Sequence, residues 1–335
     1  MRERTTQKSC ITRKITRFAI VCFFLGICLR ASFGRDTPSL WRNVFGEFVY
    51  LSRLSRVCGE LCRVHAGNFS DGIYFRQRSL DVDCRAIFSD SVFITRGHGR
   101  VEPPRDIPDS LLADFTLNGE IPVTRRYFNQ KYLASNAEVS TWTHELVSSW
   151  TKLAGKGRLK GNYGTAETNH LRNALKHARG IRGGRVLVIG SENPWVEACV
   201  LEAGASSIVT LEYGKITSLH PSIATMTPSV FKKSYLRGSL GRFDAIVTFS
   251  SVEHSGLGRY GDALNPWGDV LEIARAHCVC KPGGSLVVAV MYGSDELQYN
   301  AHRVYGELRW PYLASNWLQV HRESTGEQRV HVFVK

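Results

Sequence analysis

The sequence predicts an α/β protein: a mainly parallel sheet with a terminal antiparallel hairpin, preceded by an N-terminal helical segment. Three observations predict it. Short β-branched apolar runs at 185–189, 207–211, 243–249 and 285–290 are separated by helix-length segments, the pattern of βαβ units. Gly190, Glu212 and the Ser250 to His254 stretch follow three of those runs directly, at the strand carboxyl ends where such sheets bind ligands. Toward the C terminus Val330, Val332 and Val334 alternate with Arg329, His331 and Phe333, a strand's period of two.

Taken in order, the chain opens on a leader. Residues 1–35 hold eight Lys/Arg against one acid, Glu3, so +7 of the net charge of +13 belongs to them. The remaining charge is spread widely and forms no basic stripe, which argues against nucleic acid as a main partner. The twelve apolar or small residues 18–29 lie between Arg17 and Arg30. A bilayer span needs about 20 such residues and a signal-peptide core roughly 7–15. The expectation is a signal peptide or a single-pass signal anchor, hence the membrane or lumen of the secretory pathway. An uncleaved leader would make the membrane a partner.

Residues 36–159 read as a helical and irregular segment. Trp41, Val44, Phe45, Phe48, Leu51, Leu54, Cys58 and Leu61 recur at helical spacing, predicting an amphipathic helix. Residues 66–125, rich in Asp, Pro and Gly, read as an extended wrapping segment. Helical spacing returns at Trp142, Leu146, Val147 and Trp150, and the Gly/Lys-rich 154–164 stretch reads as a linker. The α/β domain is expected at 160–335, its first strand preceded by a helix at 165–179. Nine cysteines, three of them in the leader, include no zinc-type pair of CxxC units. Buried thiols are the favoured reading and luminal disulfides the alternative. Asn68-Phe69-Ser70 is a glycosylation sequon that matters only in a lumen.

The candidate chemistry lies at three turns. Gly190 lets backbone approach a ligand, and Pro194 opens the next helix, whose free N–H groups suit an anionic group. Glu212, 22 residues after Gly190, is placed to accept hydrogen bonds from both ribose hydroxyls of an adenosine-type cofactor. The loop after the third run gathers His254, Arg259, Tyr260, Asp262 and Asp269 among glycines. His254, with an ordinary pKa of about 6.5, is the candidate base, and Glu253 or Asp262 is the candidate to orient its ring. His220, His254, Asp262, Asp269 and His302 are potential metal donors, but their spacing is not diagnostic and no metal is expected.

These marks together resemble the class I S-adenosylmethionine-dependent methyltransferase superfamily: the first motif at 186–190, Leu211-Glu212, the strand at 243–247, Glu253-His254, and Lys281-Pro282-Gly283-Gly284 before the next strand. Longer blocks resemble the domain of unknown function 268 family. They are Gly190-Ser191-Glu192-Asn193-Pro194-Trp195, Leu211-Glu212-Tyr213-Gly214, 253–262 and Asn265-Pro266-Trp267-Gly268-Asp269. The resemblance implies a Rossmann-like methyltransferase fold and S-adenosylmethionine as cofactor. Gly190, Glu192, Glu212, Ser250 and Ser251 would bind it; His254 and Asp262 would be catalytic. The activity implied is methyl transfer to a hydroxyl, with a small molecule or a glycan of the secretory pathway as acceptor. One departure favours the alternative of a non-catalytic binding module: Glu192 and Pro194 stand where the superfamily's glycine motif continues.

Overall fold

The four apolar runs form the middle of one sheet in the computed structural model, which describes residues 56–64, 78–89, 104–128, 139–260, 262–325 and 328–335. All of these lie in one compact unit, Leu54–Lys335. The leader, most of the helix predicted upstream of Cys62, and the Asn68 sequon fall outside the described residues. No described helix is long and apolar enough to cross a membrane.

In chain order the helices are α1 (Cys84–Ser89), α2 (Asp109–Thr116), α3 (His144–Gly155), α4 (Thr165–His177), α5 (Trp195–Glu202), α6 (Pro228–Leu236), α7 (Gly268–Val279) and α8 (Trp310–Leu313). The strands are β1 (Val123–Arg125), β2 (Ser140–Trp142), β3 (Arg185–Ile189), β4 (Ser207–Leu211), β5 (Ile216–Ser218) and β6 (Ile223–Met226). They continue with β7 (Phe243–Phe249), β8 (Cys280–Met291), β9 (Glu296–Tyr299), β10 (His302–Val304), β11 (Leu318–Thr325) and β12 (Gln328–Val334).

The main sheet has the order β11-β12-β8-β7-β3-β4-β6. From β8 to β6 all neighbours are parallel; β12 joins β8 antiparallel, and β11 joins β12 antiparallel. This is the doubly wound arrangement with the predicted hairpin on one edge. The strand order reverses between β3 and β7, which opens a crevice at their carboxyl ends.

Period-two alternation decides the layers. Val186 and Val188 of β3 face a core shared with Val147 of α3, Leu171 of α4 and Val196 of α5. Leu187 and Ile189 face the other core, with Phe231 of α6 and Ile273 of α7. The 154–164 stretch is not a loose linker, because Ala154 and Leu159 are buried in the first core. The segment expected to be extended is partly helical: α1 and α2 form within it, and β1 pairs with β9. Its apolar residues are too few to show a period but enough to dock short helices. Phe88 of α1, for instance, stacks on Tyr235 with ring centroids 3.8 Å apart.

Buried thiols give way to disulfides for four cysteines. Cys84 of α1 is bonded to Cys278 of α7, and Cys58 to Cys62, while Cys199 and Cys280 are free and buried. The first of these spans 194 residues, a separation that spacing alone does not reveal. Replacing both Cys84 and Cys278 by serine is expected to lower the unfolding free energy by about 2–4 kcal/mol. Urea titration, with reduced wild type as the second reference, measures it; an unchanged midpoint would remove this bond from the account.

Candidate functional site

A cavity of about 530 Å³ opens at the carboxyl ends of β3, β4 and β7. Gly190 ends β3 with φ of +72° and donates its N–H to Leu211 O at 2.9 Å. A Cβ added at Gly190 would collide with the Ser251 side chain. Both the backbone angle and the space therefore require glycine here, and Ser251 closes over it from the end of β7.

Glu212 leaves β4 on the other side of this gap, and both residues line the cavity. Its carboxylate accepts the Tyr213 N–H at 2.7 Å. Burial pushes its pKa up to about 6, with the backbone N–H groups of Tyr213, Gly214 and Ser191 and the nearby Glu192 acting as lesser influences. Glu192 lines the cavity too, and its carbonyl accepts the Trp142 indole N–H at 3.3 Å. Beneath this floor Glu197 is fully buried and takes hydroxyl donors from Ser191 (2.8 Å) and Thr210 (2.7 Å). Burial raises it to about 7.

The loop after β7 is the third wall. Ser250 has φ of +48°, rare for a residue with a Cβ. It is held there by its N–H to Ala289 O (2.9 Å) and its hydroxyl, which donates to Glu253 (2.7 Å) and accepts from Gln328 Nε2 (3.2 Å). Glu253 is fully buried and burial raises it to about 7. His254 Nδ1 lies 2.6 Å from Ala301 O. A carbonyl only accepts, so Nδ1 carries the proton and Nε2 keeps its lone pair. The ring is thus oriented by Ala301; neither Glu253 nor Asp262 does so. Burial also lowers its pKa from the ordinary value to about 3, so the imidazole is neutral throughout the physiological range.

Asp262 lines the cavity, yet its carboxylate accepts the N–H groups of Gly256 (2.6 Å) and Tyr260 (3.4 Å). It folds the loop back on itself and does not touch the His254 ring. Asp269, also read as part of this centre, is fully buried beneath it. It binds Arg309 at 2.6 and 3.2 Å and the Tyr305 hydroxyl at 3.0 Å, with Arg303 at 3.7 Å. Burial alone would raise Asp269, but the two guanidinium groups hold it below the usual carboxylate range.

Gly190, Glu192, Glu212, Ser250, Ser251, His254 and Asp262 therefore line one cavity. The five possible metal donors do not meet at one point. His220 stacks on His144, the His254 and His302 rings are 6.1 Å apart, and Asp269 is sealed with its arginines. Sequence reasoning missed the aromatic wall of Tyr163, Trp195, Phe249 and Tyr260. Tyr163 lies 5.4 Å from Phe249, and Trp195 4.8 Å, between ring centroids. Tyr163 sits in the glycine-rich stretch taken for a linker, where a lone tyrosine was the one available sign. Glu197 had a clearer one: it is an acid within the otherwise apolar start of α5.

Strand order, switch-point crevice and strand-end acid define a Rossmann-like, class I methyltransferase-type domain. Within it, residues 183–332 match the family described as "Caenorhabditis protein of unknown function, DUF268". Among curated protein sequences none matches the chain. Solved structures similar to it include an O-methyltransferase family protein from Burkholderia thailandensis, 11% identical over 57% of this chain and 59% of that one, TM-score 0.38. Another is the 1,6-didemethyltoxoflavin-N1-methyltransferase of the same organism with bound S-adenosylhomocysteine: 15% identity, 57% and 87% coverage, TM-score 0.36. A Streptococcus mutans protein assigned as an S-adenosylmethionine-dependent methyltransferase is 10% identical, TM-score 0.35. The match covers 49% of this chain and 48% of that one, so the chain spans about half its length.

Gly190→Ala is expected to lower thermal stability by an amount equivalent to about 1–3 kcal/mol, because it adds both overpacking and backbone strain. Adding Ser251→Gly should relieve the collision but leave the strain, recovering part of the loss in a thermal melt. Full stability in the single variant would contradict the close approach.

Proposed function

We propose that this domain binds S-adenosylmethionine and transfers its methyl group to a hydroxyl of a small-molecule or glycan acceptor. The observation that carries the reading is the pairing of Gly190 and Glu212 across one crevice. A cavity of about 530 Å³ is in the range of cofactor sites. Its lining includes three carboxyl side chains, Glu192, Glu212 and Asp262, against one lysine, Lys215. That balance suits a ligand bearing a sulfonium and an ammonium better than one bearing a pyrophosphate, so it favours methyl transfer over nicotinamide chemistry.

Bound there, the cofactor would supply an electrophilic methyl group. The chain's own residues do the rest. Glu212 would accept the ribose hydroxyls, Gly190 and Ser251 would admit the ligand backbone-close, and Glu192 would face its ammonium. Tyr163, Trp195, Phe249 and Tyr260 would shield the reacting groups from water. His254 would receive the acceptor's proton at Nε2. A conjugate acid with a pKa of about 3 makes it a weak base toward a free alcohol. A hydroxyl being methylated becomes far more acidic than imidazolium, so a weak base with a fixed tautomer suffices.

The site of action we infer is an oxidising compartment. The Cys84–Cys278 disulfide supports it, because such bonds persist in the secretory pathway, and the leader's basic-apolar-basic pattern agrees.

Calorimetric titration of the full chain with S-adenosylhomocysteine tests the binding. One equivalent should bind at pH 7.5, and Glu212→Ala should weaken it at least about tenfold, the worth of one charge-assisted hydrogen bond. The ionised carboxylate is the acceptor of two hydroxyls. Since Glu212 titrates at about 6, affinity should fall as pH drops below that value while far-UV circular dichroism stays constant. No heat from folded protein would sink the proposal.

A further inference from the structure

The last turn of α4 and the edge strand β11 bring together three side chains that the crevice does not use. His177 belongs to α4, and His321 and Glu323 to β11. One donor atom from each lies within 4.8 Å of the other two. His321 Nε2 is 2.7 Å from Glu323 Oε1, and the His177 ring stacks on His321 with centroids 3.7 Å apart. On the other side, His170 Nδ1 lies 3.5 Å from Glu323 Oε2.

Two local rules produce this convergence. His170 and His177 are seven residues apart on α4, two turns, so they share a face. His321 and Glu323 are two apart on a strand and share a face as well. A bulge decides which face. Gln319 pairs with Phe333 and His321 pairs with Val332, leaving Val320 as the extra residue. Paired residues project to the same side, so His321 and Glu323 stand with Val332 and Val330, in the core that α4 helps to build. Gln319 stands on the opposite side, its Oε1 2.9 Å from His331 Nδ1. Without the extra residue His321 would turn away from α4; re-aiming a side chain is what such bulges do.

Two imidazoles and a carboxylate are the donor set of zinc-class ions. His177 also sits at the carbonyl end of α4, where the helix dipole favours a cation. We propose that His177, His321 and Glu323 bind one divalent transition-metal ion of the Zn²⁺ class. His170 orients Glu323 from behind, as outer partners of metal ligands do. The ion clasps the bulged edge of the sheet to α4, on a different element pair from the methyl-transfer crevice.

The test is equilibrium dialysis of the untagged full chain, stripped with chelator, against ZnCl₂ at pH 7.5. One equivalent per chain is expected. His321→Ala and Glu323→Gln should each weaken binding at least about tenfold, and His170→Ala by about tenfold. Co²⁺ in place of Zn²⁺ should give a visible ligand-field spectrum that His177→Ala loses; His177 is exposed, so this variant keeps the fold. Less than one equivalent bound, or binding unchanged in His177→Ala and Glu323→Gln, would overturn the proposal and leave only a surface ion pair.

Discussion

The structure depends on a charge that has no access to water. Asp269 is sealed at the start of α7, and Arg303 and Arg309 converge on it. The two guanidinium groups also donate to backbone carbonyls of the preceding loop. Arg303 takes those of Glu253, Ser255, Asn265 and Pro266, and Arg309 takes Pro266 at 2.6 Å. A loop that closes a binding crevice has little regular hydrogen bonding of its own, and orphaned buried carbonyls are costly. Planar, multi-donor guanidinium groups solve this with two side chains. Asp269 then offsets charge that would otherwise be buried without compensation.

That arrangement links the wall of the crevice to the small sheet of β1, β9 and β10. Arg303 is a β10 residue, and Ala301, one residue ahead of β10, supplies the carbonyl that fixes the His254 tautomer. Asn300 adds a bond to Leu257 O at 3.3 Å. Position and protonation of His254 are therefore set from outside the βαβ scaffold, by a residue 47 positions further along. The scaffold places the crevice and this added layer sets its chemistry.

The scaffold is the part that the sequence makes legible. Val186 to Gly190, Leu211-Glu212 and the Val330-Val332-Val334 alternation each carry their periodicity within a few residues, and local spacing is what a single sequence displays. The site's supporting bonds are of another kind. Nothing near Asp262 distinguishes a carboxylate that caps its own loop from one that orients an imidazole. Nothing near Cys84 announces Cys278. Asp269 had the right residue type for chemistry, and only its encirclement by residues 34 and 40 positions later makes it structural. The Val320 bulge is similar: an uninterrupted alternation from Leu318 to Thr325 would put His321 on the wrong side of the sheet.

The carboxyl groups in and behind the crevice share one further property that follows from their burial. Glu197, Glu212 and Glu253 are each raised, to about 7, 6 and 7, chiefly because water is excluded from them. A carboxyl whose folded pKa exceeds its unfolded value favours the fold while protonated. Each of these therefore contributes stability that is fully present below the unfolded value and is lost as pH rises through 6–7. Burial of these groups therefore opposes folding most in the pH range where Glu212 is ionised. A cationic ligand in the crevice would oppose that effect at Glu212, whose ionised form it favours. Burial thus sets both the cost of ionising Glu212 and the strength with which its carboxylate would attract such a ligand.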